Sequence, residues 1–94
     1  MQRKIRKALE SKYGGWWFKV WGGPFQVAGI PDLVGCVEGK FFAFEVKRPL
    51  GKGPTAIQAE TMRQIIEKGG GVAMEVRTPQ EALNAVKAAI QSTR

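Results

Sequence analysis

The chain has 94 residues, enough for one compact domain around one modest core, and its 44% apolar content separates it from disordered tails. Fifteen Lys and Arg against eight Asp and Glu leave a net charge of +7, which favours an anionic partner: nucleic acid or an acidic membrane surface. There is no histidine and one cysteine, Cys36, so imidazole bases, Ser-His triads, internal disulfides and His- or Cys-type zinc sites are excluded.

The opening stretch, MQRKIRKALESKYGG, lacks the apolar core of a signal peptide, which predicts a cytoplasmic protein. Within it, Arg3 to Lys12 reads as a helix with Ile5, Ala8 and Leu9 as its apolar stripe, stopped by Gly14 and Gly15. Trp16 to Trp21 is strand-forming and ends at a Gly22-Gly23-Pro24 turn. Gly29-Ile30-Pro31 leads through Asp32 into a strand over Leu33 to Val37. Glu38-Gly39 is a two-residue hairpin turn, and Lys40 to Lys47 is the returning strand. RPLGKGP, Arg48 to Pro54, is a loop. It lacks the spacing of a phosphate-binding P-loop.

Thr55 to Lys68 reads as a second helix with Ala59, Met62, Ile65 and Ile66 as its apolar face, ended by Gly69-Gly70-Gly71. Val72 to Val76 is a last strand. Thr78, Pro79 and Glu81 form an N-terminal capping signature for a final helix that buries Ala82, Leu83, Val86, Ala89 and Ile90. The order α-β-β-β-α-β-α predicts one α/β domain over residues 1–94, a mixed sheet flanked by helices. The strands on either side of the second helix should be parallel, because that helix is a crossover. No apolar run approaches the roughly 20 residues of a membrane span. Cys36 reads as a small buried apolar residue.

The hairpin has a chemical consequence. A two-residue turn sets Val37 against Lys40, Cys36 against Phe41 and Leu33 against Phe44, and so brings Asp32 opposite Glu45. Two carboxylates about 5 Å apart repel by roughly 3 kcal/mol even at an effective dielectric near 20. Something must offset that. Lys47 shares the face of Glu45 and supplies one positive charge. A divalent cation would supply two more, and Mg²⁺ commonly takes one or two carboxylates while also binding phosphate oxygens. The opposite face carries Phe42, Phe44 and Val46, which belong in a core. An E-x-K on a strand is also compatible with a solvated face and a weak ion pair, and an odd-length turn would break the register.

Gly-Ile-Pro-Asp, twelve residues, then Glu45-Val46-Lys47, with Gln58 beyond, resembles the PD-(D/E)XK nucleases and, more narrowly, the VRR-NUC family. The similarity runs from the first helix to the last strand. The resemblance implies that Asp32 and Glu45 bind Mg²⁺ or Mn²⁺ with the Val46 carbonyl. It implies that Lys47 orients the attacking water or stabilises the phosphorus centre, and that Gln58 holds the lysine or the water. Glu10 would be the additional acidic residue of the first helix. On the residues alone, Gln58 also fits a capping box closing on Thr55, and Glu10 also fits a simple balance to the basic helix. The family's usual serine near Thr55 is absent.

Arg3, Lys4, Arg6 and Lys7 on the first helix, with Arg48 and Lys52 beside the catalytic strand, are the candidate nucleic-acid contacts; for any one of them a solubilising role is the plainer reading. The first helix has too small an apolar face to favour a membrane. Trp16, Trp17 and Trp21 suit a core or subunit interface better than base stacking. The resemblance further implies a homodimeric endonuclease acting on branched DNA, with four-way (Holliday) junctions as the leading substrate. A non-catalytic nucleic-acid-binding domain, or a nuclease for flap, duplex, single-stranded or RNA substrates, would share most of these features.

Overall fold

Apolar residues recurring every three to four positions in the first and last segments give helices. Alternating apolar residues between them give strands, and the computed structural model arranges both around one sheet. It describes residues 1–21, 28–47 and 54–92. The elements are α1 (Gln2–Tyr13), β1 (Trp16–Lys19), β2 (Leu33–Val37), β3 (Lys40–Val46), α2 (Ala56–Glu67), β4 (Val72–Val76) and α3 (Pro79–Ser92). The sheet runs in the order β1-β2-β3-β4, antiparallel at β1/β2 and β2/β3 and parallel at β3/β4. The expected α/β order and mixed sheet are what is observed. The expected Gly22-Gly23-Pro24 turn and the loop residues 48–53 lie outside the described residues.

The hairpin register is the one the turn dictates, with Val37 against Lys40, Cys36 against Phe41 and Leu33 against Phe44. Glu38 and Gly39 both have positive φ, 52° and 79°. That is the pairing a two-residue turn needs to match the right-handed twist of its strands. At the far end of the chain, Thr78 Oγ1 accepts from the Glu81 amide at 3.2 Å, and the Glu81 carboxylate reaches back to the Arg77 amide. Acidic and hydroxyl groups thus satisfy the open amides at the start of α3.

One face of the sheet carries the core. Trp17, Leu33, Val37, Phe42, Phe44 and Val76 pack there against Ile5 and Leu9 of α1 and Ala82, Val86, Ala89 and Ile90 of α3. Phe42 and Phe44 stack at 6.2 Å between ring centres, and Trp17 lies within 6.1 Å of both.

The opposite face is only half covered, which corrects two expectations. No residue of α2 is buried: Met62 and Ile65 are half-buried, while Ala59 and Ile66 are exposed. Cys36 is exposed as well. The reason is geometric. One helix about 10 Å wide cannot cover four strands spaced about 4.8 Å apart, and α2 lies against β4. The β1 side of that face is left with Trp16, Phe18 and Phe41 exposed.

Candidate active site

The site forms where β2 begins and β3 ends. Asp32 is held from three directions. Its main-chain carbonyl accepts from the Val20 amide and from Gln2 Nε2, each at 2.8 Å. Its carboxylate Oδ2 accepts from the Val46 amide at 2.8 Å. The start of α1, the end of β1 and the end of β3 therefore fix this residue beside Glu45. A cleft of about 270 Å³ lined by Met1, Gln2, Asp32 and Val46 opens at this point.

Among the described residues, Glu45 is the buried charged residue, 8% exposed. Its Oε2 is closed off from solvent and has no hydrogen-bond partner among the described residues. Burial first, then the neighbouring Asp32 carboxylate and Glu75, push the Glu45 carboxyl up to about 8; Lys47 pulls the other way. A carboxylate in that position needs a proton or a cation to complete it.

Lys47 follows directly. Its amide donates to the Val76 carbonyl at 2.9 Å, which fixes the backbone beside the end of β4. Its Nζ sits 3.8 Å from Glu75 Oε2, with both side chains mostly buried. Glu75 faces Glu45 across the parallel β3/β4 pair. Sequence reasoning missed Glu75. Nothing in Val72 to Val76 marks it out, and only the parallel register shows that it meets Glu45. Gln2 was missed for a similar reason, being a contact between a helix start and a strand end distant in sequence.

The remaining expected residues divide. Gln58 closes the capping box: its Oε1 accepts from the Thr55 amide at 3.0 Å, and its own amide donates to Thr55 Oγ1 at 3.2 Å. The structure therefore places Gln58 on its helix-capping role, and Lys47 pairs with Glu75. Glu10 is exposed and lies 3.5 Å from Arg6. It sits about 12 Å along the helix from Gln2 at 1.5 Å per residue. Gln2, not Glu10, is the α1 side chain that reaches Asp32.

Arg3, Lys4, Arg6 and Lys7 are exposed on α1. Arg3 and Arg6 line a cleft of about 300 Å³ with Met1, Gln2, Lys19 and Trp21, adjoining the Asp32 cleft through Met1 and Gln2. Lys19 Nζ lies 3.9 Å over the Trp21 ring. Arg48 and Lys52 lie outside the described residues.

The donor set fits a hard divalent ion. Asp32 and Glu45 offer neighbouring carboxylate oxygens of the kind Mg²⁺ and Mn²⁺ prefer, and the Glu45 Oε2 atom lacks a partner that such an ion would provide. Among the described residues, no three acidic side chains converge to enclose an ion.

No protein-family model matches the sequence, and no curated protein matches it. A solved structure titled "VRR_NUC domain" superposes on this chain with a TM-score of 0.66 over 90% of this chain and 92% of that one, at 19% identity. The chain has the VRR_NUC fold. In this VRR_NUC-like sheet, Asp32, Glu45 and Lys47 cluster at one end of the two central strands, and α1 brings its basic N-terminal half to the same end.

Proposed function

We propose that this chain is a Mg²⁺- or Mn²⁺-dependent endodeoxyribonuclease that nicks branched DNA, four-way junctions first, as a homodimer. The observation that carries the reading is the buried Glu45 carboxylate, left without a hydrogen-bond partner at Oε2 beside Asp32. A structural role alone gives no reason to bury a carboxyl group without a partner next to a second carboxylate. The likeness to a VRR_NUC domain and the net charge of +7 support the same reading.

Asp32 and Glu45 would hold the ion, with the Val46 carbonyl completing the protein ligands. When bound, the ion acidifies a water and offsets charge developing on the phosphate. Lys47 Nζ presents a fixed positive charge beside the scissile phosphate, where charge grows in the transition state. The Val46 amide holds Asp32 Oδ2 in place, so one ligand is oriented before substrate arrives. Arg3 and Arg6 flank the approach to the site and would steer the nucleic-acid backbone without reading sequence.

The test is a cleavage panel at low salt with Mg²⁺ or Mn²⁺ on single-stranded, duplex, flap and four-way junction DNA, using the parent protein and Lys47→Ala. Metal-dependent cutting with a rate loss of about 10²-fold or more in the variant is expected, with the junction cut fastest. Cutting that prefers another substrate keeps the nuclease and replaces the junction. Binding without cutting under either metal overturns the enzyme and leaves a nucleic-acid-binding domain.

A further inference from the structure

We infer that Glu75 is a positioning residue for Lys47, an inference that rests on the nuclease reading and extends it to a side chain on the neighbouring strand. The parallel register sets Glu75 against Glu45, and the next residues lock together through the Lys47 amide to Val76 carbonyl bond. Lys47 and Glu75 are thus held on adjacent strands by main-chain geometry. Their charged ends meet at 3.8 Å, the lysine side chain 10% and the glutamate 20% exposed.

The burial is the puzzle. Glu75 adds a carboxylate to a corner that already holds Asp32 and Glu45, and its Oε2 is closed off from solvent with no hydrogen-bond partner among the described residues. The row beneath it on the same face is Ala43 and Ala73, a small apolar pair that a Val or Thr at 75 would continue. Packing alone therefore gives no reason for glutamate. Its two oxygens face two cations: Oε2 faces Lys47, and Oε1 lies 3.5 Å from Arg77 Nη2.

A role as ligand fits less well. Glu75 is already matched by two cations, and among the described residues no group of three acidic side chains is placed to hold one ion. A role through Lys47 fits every contact. A lysine side chain has four rotatable bonds and loses much of its rotamer freedom when fixed. A carboxylate on the neighbouring strand confines it before the substrate binds. At 3.8 Å the pair is longer than a hydrogen bond, so the ammonium keeps its donors for a phosphate oxygen. Glu75 thus anchors the charge without taking up its hydrogen-bond donors.

The experiment is a double-mutant cycle on junction DNA with Mn²⁺, using the parent, Glu75→Gln, Lys47→Ala and the double variant. Calorimetric Mn²⁺ titration and a thermal melt of each protein accompany it. Glu75→Gln is expected to lower kcat roughly 10- to 100-fold, the range typical of residues behind a catalytic group, with KM for DNA unchanged. In the Lys47→Ala background the same change should cost nothing further, because the lysine it acts through is gone. Glu75→Asp, which keeps the charge, should recover part of the loss and serves if Glu75→Gln fails to fold. A Glu75→Gln protein that cuts as fast as the parent overturns this inference alone, and so does a loss that multiplies with that of Lys47→Ala. Mn²⁺ binding weakened tenfold or more makes Glu75 a ligand and also overturns it. A parent protein that neither binds Mn²⁺ nor cuts any substrate removes the nuclease reading beneath it.

Discussion

At the scale of single residues, Glu45 links the site to folding. Its carboxyl is held near 8 against an ordinary value of 4.5, chiefly by burial and then by Asp32. The folded chain therefore keeps a proton that the unfolded chain releases. Stability without metal should fall as pH rises from about 4.5 to about 8, since the folded state binds more protons across that window. Urea denaturation in a chelator at several pH values checks this. In Glu45→Gln that part of the slope should vanish and the metal-free protein should be more stable at the alkaline end. Adding Mg²⁺ at the alkaline end should restore the parent's stability and leave Glu45→Gln unmoved. A parent whose stability is level across the window would show that Glu45 is not held protonated.

At the scale of elements, the site depends on how closely α2 approaches the chain entering β2. Gly29 has φ +85°, and a Cβ there would lie 3.0 Å from the Ile57 carbonyl and from Thr61 Oγ1 and would overlap Ile57 Cγ2. Ile57 Cγ2 can swing away, being on an exposed side chain, but the Ile57 carbonyl is helix backbone and cannot. Gly29→Ala should cost about 1–2 kcal/mol from the left-handed backbone alone. It should also slow cutting, because Asp32 stands three residues on. Denaturation together with cleavage at saturating metal tests both; an unchanged cutting rate would mean that α2 shifts without disturbing Asp32. The same elements show what the sequence could reveal. Glu38-Gly39 fixed the β2/β3 register because a two-residue turn leaves no freedom, and Asp32 and Glu45 followed from it. Gly14, the Thr55 and Thr78 caps and the alternating phenylalanines were equally local signals. Glu75 was not legible, because a parallel register is set by a whole crossover rather than by a turn. Nor were the exposed Cys36 and the thin cover of α2, because helical periodicity gives a face but not how much sheet that face must cover.

At the scale of the whole molecule, charge and apolar surface pull in opposite directions. Trp16, Cys36 and Phe41 form one cross-strand row on the half-covered face, and Trp16 stacks on Phe18 at 5.8 Å between ring centres. Trp16 is 60% exposed and Phe18 47%. Seating a second copy there would bury two large aromatic rings from each chain, the kind of anchor that dominates interface energies. Each copy also carries +7, so two copies repel. Salt screens that repulsion, with a Debye length of about 10 Å at 0.1 M falling to about 3 Å at 1 M. Binding to DNA runs the other way, since it is driven by releasing counterions and weakens as salt rises. The proposed homodimer should therefore tighten over the salt range in which affinity for junction DNA collapses. Sedimentation velocity and a fluorescence binding titration across one salt series read the two trends together. Trp16→Glu should yield a monomer at every salt concentration while keeping a folded-state melt. A parent protein that sediments as a monomer throughout, or a dimer that Trp16→Glu leaves intact, would sink this face as the seat of the second copy.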